Sequence, residues 1–346
     1  MTEDVTARQK ARFPRISPRA YEHPVDRGAL ATLRAVPGFA QVLRALAGAF
    51  SERGLRLTAL ASAIRVGPAQ YPQLDELRTE CAAALDLEQA PELYVTRDPA
   101  AAAYTVGMDK PFIVITTGMV ELLDADGLRF VVGHEMGHVL SGHAVYRTML
   151  MYVLNAQRSL SWNPLSALGL RAIGAALNEW YRKSELSCDR AGLLCGQDPE
   201  AALRVHVRLA GGTGSAEIDT AAFLRQAEEY SSTGDLRDSL HKLLTVENMS
   251  HPLAVVRAAE LQKWAASQEY RDILGGNYPR RDDDEPASSW REDVKAAARA
   301  YKESVTESTD PLAKVFSDVG AAISGAASKV RDRFVRGEKD EADTGR

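Results

Sequence analysis

Gly133-His134-Glu135-Met136-Gly137-His138-Val139-Leu140-Ser141-Gly142-His143 is the stretch on which the reading of this chain turns. In a helix, His134 and His138 stand one turn apart on the same face. Two neutral imidazoles so placed form half of a zinc site, and Glu135 beside them is a candidate base. The residues around the motif (Leu128, Phe130, Val131, Val132, Val139 and Leu140) are apolar on most sides of such a helix, so it reads as buried. Asp126 is the expected cap, and the helix is expected to run past Tyr146.

Such a motif needs a third ligand, and three residues compete for the position. His143 is nearest in sequence. At about 100° per residue it points roughly 140° away from His138 on a continuous helix, which makes it a surface or packing residue. Glu185 lies in Ser184-Glu185-Leu186-Ser187-Cys188-Asp189-Arg190, on the next strong helical pattern. Glu185 and Asp189 are four apart and share a face. One carboxylate can bind a metal while the other accepts the N–H of a ligating imidazole. Two carboxylates on one face of a buried helix also call for a cation to offset their desolvation. Cys188 is the third candidate and reads better as a small packing residue. Favouring Glu185 gives two histidines and a glutamate, one Zn2+ per chain and a fourth position open to water, as in a catalytic rather than a structural site.

Outward from the motif, the pattern predicts an α+β, mostly α fold. Short runs at residues 93–95, 104–106 and 112–116 are rich in β-branched and aromatic side chains. Gly107-Met108-Asp109-Lys110 connects the last two as a hairpin, giving a small antiparallel sheet just ahead of the motif helix. A short helix is expected at 118–123. Further helices are expected at 26–36, 39–51, 55–66, 73–87, 176–194, 221–230, 236–244 and 252–265, with Asp198–Pro199 opening another. Residues 1–25 read as an irregular arm and 276–289 as a linker. Residues 290–336 read as a helical appendage with an apolar stripe from Leu312 to Val335, and 337–346 as a disordered tail.

Composition narrows the class. The chain has 346 residues, 45% of them hydrophobic, and a net charge of −5, which does not suggest nucleic-acid binding. Its three cysteines form no close-spaced framework and suit a reducing compartment. The N-terminus lacks the apolar core of a secretory signal, and no apolar run approaches the roughly 18 residues of a membrane span. A cytoplasmic protein is expected, with peripheral membrane association through the 312–335 stripe as a variant.

These residues resemble the gluzincin metallopeptidases, and more narrowly the HtpX and CAAX prenyl endoprotease family (metallopeptidase family forty-eight). The resemblance runs from about Pro91 to Leu261. It rests on residues 113–118, His134-Glu135-Met136-Gly137-His138, Glu185 with Asp189, and Ser250-His251-Pro252 followed by Arg257. It implies a zincin-like peptidase fold; joined to the helices read from the pattern up to residue 90, the catalytic core from 91 gives an expected peptidase domain over residues 26–275. It also implies zinc on His134, His138 and Glu185, with Glu135 as general base. His251 would steady the oxyanion, Arg257 would pair with a carboxylate such as Asp189, and a peptide substrate would add to the sheet edge at Ala103–Val106. The chain departs from the pattern in two ways. Ala102 stands where the family commonly has Asn, and the transmembrane helices of the HtpX type are missing. The expected function is zinc-dependent hydrolysis of unfolded or damaged proteins. The competing reading is a latent zinc-binding module acting as a membrane-associated or chaperone-like adaptor.

Overall fold

A computed structural model describes residues 10–24, 26, 52–159, 164–212, 217–232 and 254–284. The helices are α1 Glu52–Ser62, α2 Pro72–Ala84, α3 Thr117–Leu122, α4 Ala125–Leu140, α5 His143–Ser159, α6 Pro164–Gly196, α7 Pro199–Gly211, α8 Thr220–Ser232, α9 Ala254–Ala265 and α10 Gln268–Leu274. The strands are β1 Ile64–Arg65, β2 Leu93–Thr96, β3 Ala103–Val106 and β4 Phe112–Thr116, in the spatial order β1-β2-β4-β3. The motif helix is α4. His251, the helices expected at 39–51 and 236–244 and the appendage with its Leu312–Val335 stripe lie outside the described residues.

The sheet is mixed rather than wholly antiparallel. β3 pairs antiparallel with β4 through the Gly107–Lys110 turn, as the pattern predicts, but β2 runs parallel to β4. β1 was expected inside a helix over 55–66. Instead α1 stops at Ser62, and Ile64 and Arg65 pair antiparallel with β2. β-Branched Ile64 and Val66 favour the extended backbone. Alternation decides what each sheet face covers. Leu93, Val95, Ala103, Ile113 and Ile115 face the main core with Val131, Val132 and Met136 of α4. Tyr94, Val106, Phe112 and Val114 face a smaller cluster completed by Ala59 of α1.

α4 is capped by Asp124, not Asp126: the Asp124 carboxylate accepts from Gly127 N at 2.9 Å, and Asp126 sits in the first turn. The helix also ends earlier than expected. Ser141 closes it, Gly142 adopts φ +70°, and α5 sets off from His143 in a new direction.

Much of the N-terminal arm is packed. Phe13, Ile16 and Tyr21 are almost wholly buried, Ser17 N donates to Pro279 O (3.0 Å) and Arg281 N donates to Arg15 O (2.8 Å). Residues 276–284, expected within a linker, thus close onto the arm, and the Tyr21 hydroxyl meets Ser141 Oγ at 3.0 Å just past the end of α4.

Candidate metal centre

The centre depends on how closely α4 and α6 approach. A Cβ added at Gly133 would lie 2.6 Å from Cys195 Cβ, and one at Gly137 would lie 2.7 Å from Ala191 Cβ. Both glycines sit one residue before a histidine of the motif, so the backbones come together where the imidazoles project. Glu185 of α6 then reaches both rings. Its Oε1 is 3.2 Å from His138 Nε2, and its Oε2 is 3.6 Å from His134 Nε2. All three side chains are buried. Yet His138 Nδ1, His138 Nε2 and Glu185 Oε1 make no hydrogen bond. His138 Nε2 and Glu185 Oε1 are left unpaired at short range, with His134 Nε2 close to the other oxygen of Glu185, and a cation between them would satisfy the unpaired atoms. The donor set therefore fits a metal ion.

Asp189, one turn beyond Glu185, fixes the first ring: His134 Nδ1 donates to Asp189 Oδ1 at 3.0 Å. This is the carboxylate–imidazole arrangement that orients a ligating histidine with Nε2 toward the metal. Arg257 of α9 holds both carboxylates. Its Nε and Nη2 donate to the two oxygens of Asp189 at 2.8 and 2.6 Å, and its Nη1 lies 2.9 Å from Glu185 Oε2. Burial alone would raise both carboxyls, but the Arg257 charge and the neighbouring imidazoles hold both below the usual carboxylate range. Burial lowers His134, but Glu185 and Asp189 outweigh it and push the ring up to about 9. Burial leaves His138 below its ordinary value.

Glu135 is buried next to His134 and His138, and its Oε2 accepts from Thr105 Oγ1 at 2.7 Å. Thr105 is an inward-facing residue of β3, the terminal strand of the sheet, so the candidate base is aimed from the strand edge. On the other side, the Tyr181 ring stacks on His138 at 5.7 Å with 13° between planes.

The competing ligands are also placed. His143 is fully buried and belongs to α5, so the angle argument from a continuous helix does not apply to it. Its Nε2 faces Asp26 (3.5 Å), and its Nδ1 faces the Cys188 thiol (3.5 Å). Cys188 is nearer the centre: its sulfur and one nitrogen each of His134 and His138 lie within 4.8 Å of one another. Burial, followed by the charges of Glu185 and Asp26, pushes the Cys188 thiol well up, so it is the proton-bearing member of the group while Glu185 is ionised.

Residues 68–265, more than half of the chain, match the family model described as peptidase family M48. The chain belongs to peptidase family M48. It is 36% identical over 261 residues to the plastoglobule-localized metallopeptidase 48 of Arabidopsis thaliana, covering 73% of this chain and 74% of the plant protein. It is 26% identical to the protease HtpX of Xylella fastidiosa over 203 residues, 50% of this chain and 66% of that protein. A HtpX homolog of Tropheryma whipplei shares 35% identity over 80 residues, 28% of its length. No solved structure matches the chain. By family this M48 chain is a metalloprotease, a hydrolase of the His-Glu-x-x-His type. No helix among the described residues is long and apolar enough to cross a membrane.

Three parts of this M48 centre were not read from the sequence. His206 of α7 is buried with its Nε2 3.7 Å from Asp189 Oδ2 and its ring edge-on to Phe130. A histidine on an apolar helix face carries no signal of its own. Thr105 had a faint one, as a hydroxyl on the core-facing side of a strand. Tyr181 had a clearer one, since it lies one turn before Glu185 and so shares its face.

Proposed function

We propose that this M48 protein is a zinc endopeptidase, with His134, His138 and Glu185 holding the metal and Glu135 as the general base. The observation that carries the reading is the buried convergence of His138 Nε2, His134 Nε2 and Glu185, with His138 Nε2 and Glu185 Oε1 left without a hydrogen bond, beside the Glu135 carboxylate held by Thr105. Bound there, zinc would polarise a substrate carbonyl and acidify water. Glu135 takes the proton of the attacking water at its carboxylate and hands it to the leaving nitrogen. Thr105 orients that carboxylate, and Asp189 keeps His134 turned toward the metal. Arg257 keeps both acidic partners ionised. Glu185 is favoured over Cys188 because it arrives deprotonated, whereas a thiol must first lose its proton to ligate.

β3 is paired on one side only among the described residues, which supports addition of an extended substrate strand at Ala103–Val106. Binding through backbone groups suits unfolded or damaged proteins of varied sequence. His251 is assigned to the oxyanion on the family resemblance. The plant relative's plastoglobule name lends support to a peripheral location, with the 312–335 stripe as the contact. The test is cleavage of an unstructured casein-type protein by the zinc-loaded wild type and by Glu135→Gln. Both should hold one zinc, and cleavage should be lost in the variant. Equal cleavage by the two proteins would remove Glu135 from the mechanism.

A further inference from the structure

Arg147 bridges the edge strand β3 and helix α6. From α5, its guanidinium sits 5.4 Å from the Tyr104 ring on β3 and 4.8 Å from the Tyr181 ring on α6, and it donates to the Tyr181 hydroxyl. Tyr181 in turn stacks on His138. One cation thus touches a ring on the edge strand and a ring against a candidate metal ligand. The next residue anchors it, since Thr148 Oγ1 accepts from Gly107 N at the end of β3 at 2.9 Å. Arg147 makes no ion pair with a carboxylate among the described residues, in contrast to Arg257 with two. With one Nη1 N–H given to the Tyr181 hydroxyl, the remaining in-plane N–H groups of the guanidinium can still donate, and such groups fit a carboxylate two at a time. Both rings are half-buried, so the charge is partly shielded from water without being neutralised.

We infer that Arg147, seated on Tyr104 and Tyr181, is a subsite for a carboxylate of the bound peptide, so that the site selects an acidic group close to the scissile bond. The inference rests on the peptidase reading, because a strand added at β3 is what brings a peptide past Arg147. The carboxylate can come from an Asp or Glu side chain or from a free C-terminus. An acidic side chain makes the enzyme an endopeptidase with an acidic preference, whereas a C-terminus makes it act near chain ends.

Binding by the zinc-loaded Glu135→Gln protein is the test, using fluorescent peptides that differ only in Glu against Gln at each position, or in a free acid against an amide at the C-terminus. A hydrogen-bonded charge pair is worth about tenfold or more in affinity, so one Glu/Gln or acid/amide pair should differ by that factor. Arg147→Met should bring the ratio to about one with zinc content unchanged and a cooperative melting transition retained, and Arg147→Lys should restore part of it. A ratio near one in the parent protein, or one that survives Arg147→Met, overturns the subsite. Cleavage by wild type separates the two claims. Cleavage without a charge preference in binding leaves the peptidase standing and the subsite fallen. A charge preference in binding without cleavage does the reverse.

Discussion

Arg257→Met keeps most of the side-chain volume and removes the charge that Glu185 and Asp189 share. In the metal-free protein at neutral pH, four buried groups balance. Arg257 and His134 are positive, the latter because its pKa is pushed up to about 9, while Glu185 and Asp189 are negative. Methionine leaves this cluster one charge negative and breaks contacts of 2.6, 2.8 and 2.9 Å. Uncompensated buried charges of this kind cost about 3–5 kcal/mol. With zinc the balance changes. His134 gives up a proton to ligate and the ion adds two charges, so the cluster without Arg257 is neutral again. The loss should therefore be several kcal/mol in EDTA and distinctly smaller with zinc in excess. Urea denaturation followed by circular dichroism in both conditions measures it. A metal-free loss below about 1 kcal/mol, the range of exposed ion pairs, would refute the reasoning. Equal losses in the two conditions would refute it as well.

Buried histidines set a pH dependence, among them His206 beside Asp189 and His23 of the N-terminal arm, 3.9 Å from Glu260. Burial lowers His23 and His206 to about 4, so the unfolded chain binds more protons between about pH 6.5 and 4 and stability falls as pH drops through that window. His134 has the opposite sign. Its raised pKa adds stability that is full below about 6.5 and lost as pH rises toward 9, so metal-free protein should be most stable near pH 6.5. Melting scans across pH check this, and zinc should flatten the alkaline limb; a metal-free protein most stable at pH 9 would contradict it. Gly137→Ala places a methyl 2.7 Å from Ala191 Cβ. Overpacking of about 1–3 kcal/mol should outweigh a helix-propensity gain of about 1 kcal/mol. The variant should lose stability and bind zinc more weakly, with rescue by Ala191→Gly. A stabilised Gly137→Ala would show that the helices have room there.

What the sequence made legible was local and periodic. The apolar face of α4, the one-turn spacing of His134 and His138 and the one-turn spacing of Glu185 and Asp189 all follow from a single repeat, and the structure brings these four side chains together. Features set by the third dimension were harder to read. Asp124 and Asp126 both precede an apolar run, and only the Gly127 contact tells which one caps. The break at Ser141–Gly142 removed the continuous helix on which the direction of His143 was judged. Phe13, Ile16 and Tyr21 follow no helical or strand period, because they are buried by parts of the chain far away in sequence, Phe13 with Tyr278 and Tyr21 with Ser141, rather than by an element of their own. The parallel β2–β4 pairing was hidden for the same reason. Strand residue types mark a strand but not its neighbour.

The identity of the third ligand is the claim on which the rest depends, and zinc K-edge X-ray absorption of the zinc-loaded protein addresses it directly. The account predicts a first shell of nitrogen and oxygen only, at about 2.0–2.2 Å, unchanged by Cys188→Ala. A sulfur scatterer at about 2.3 Å, lost in Cys188→Ala, would assign the position to Cys188 and contradict the His134–His138–Glu185 centre.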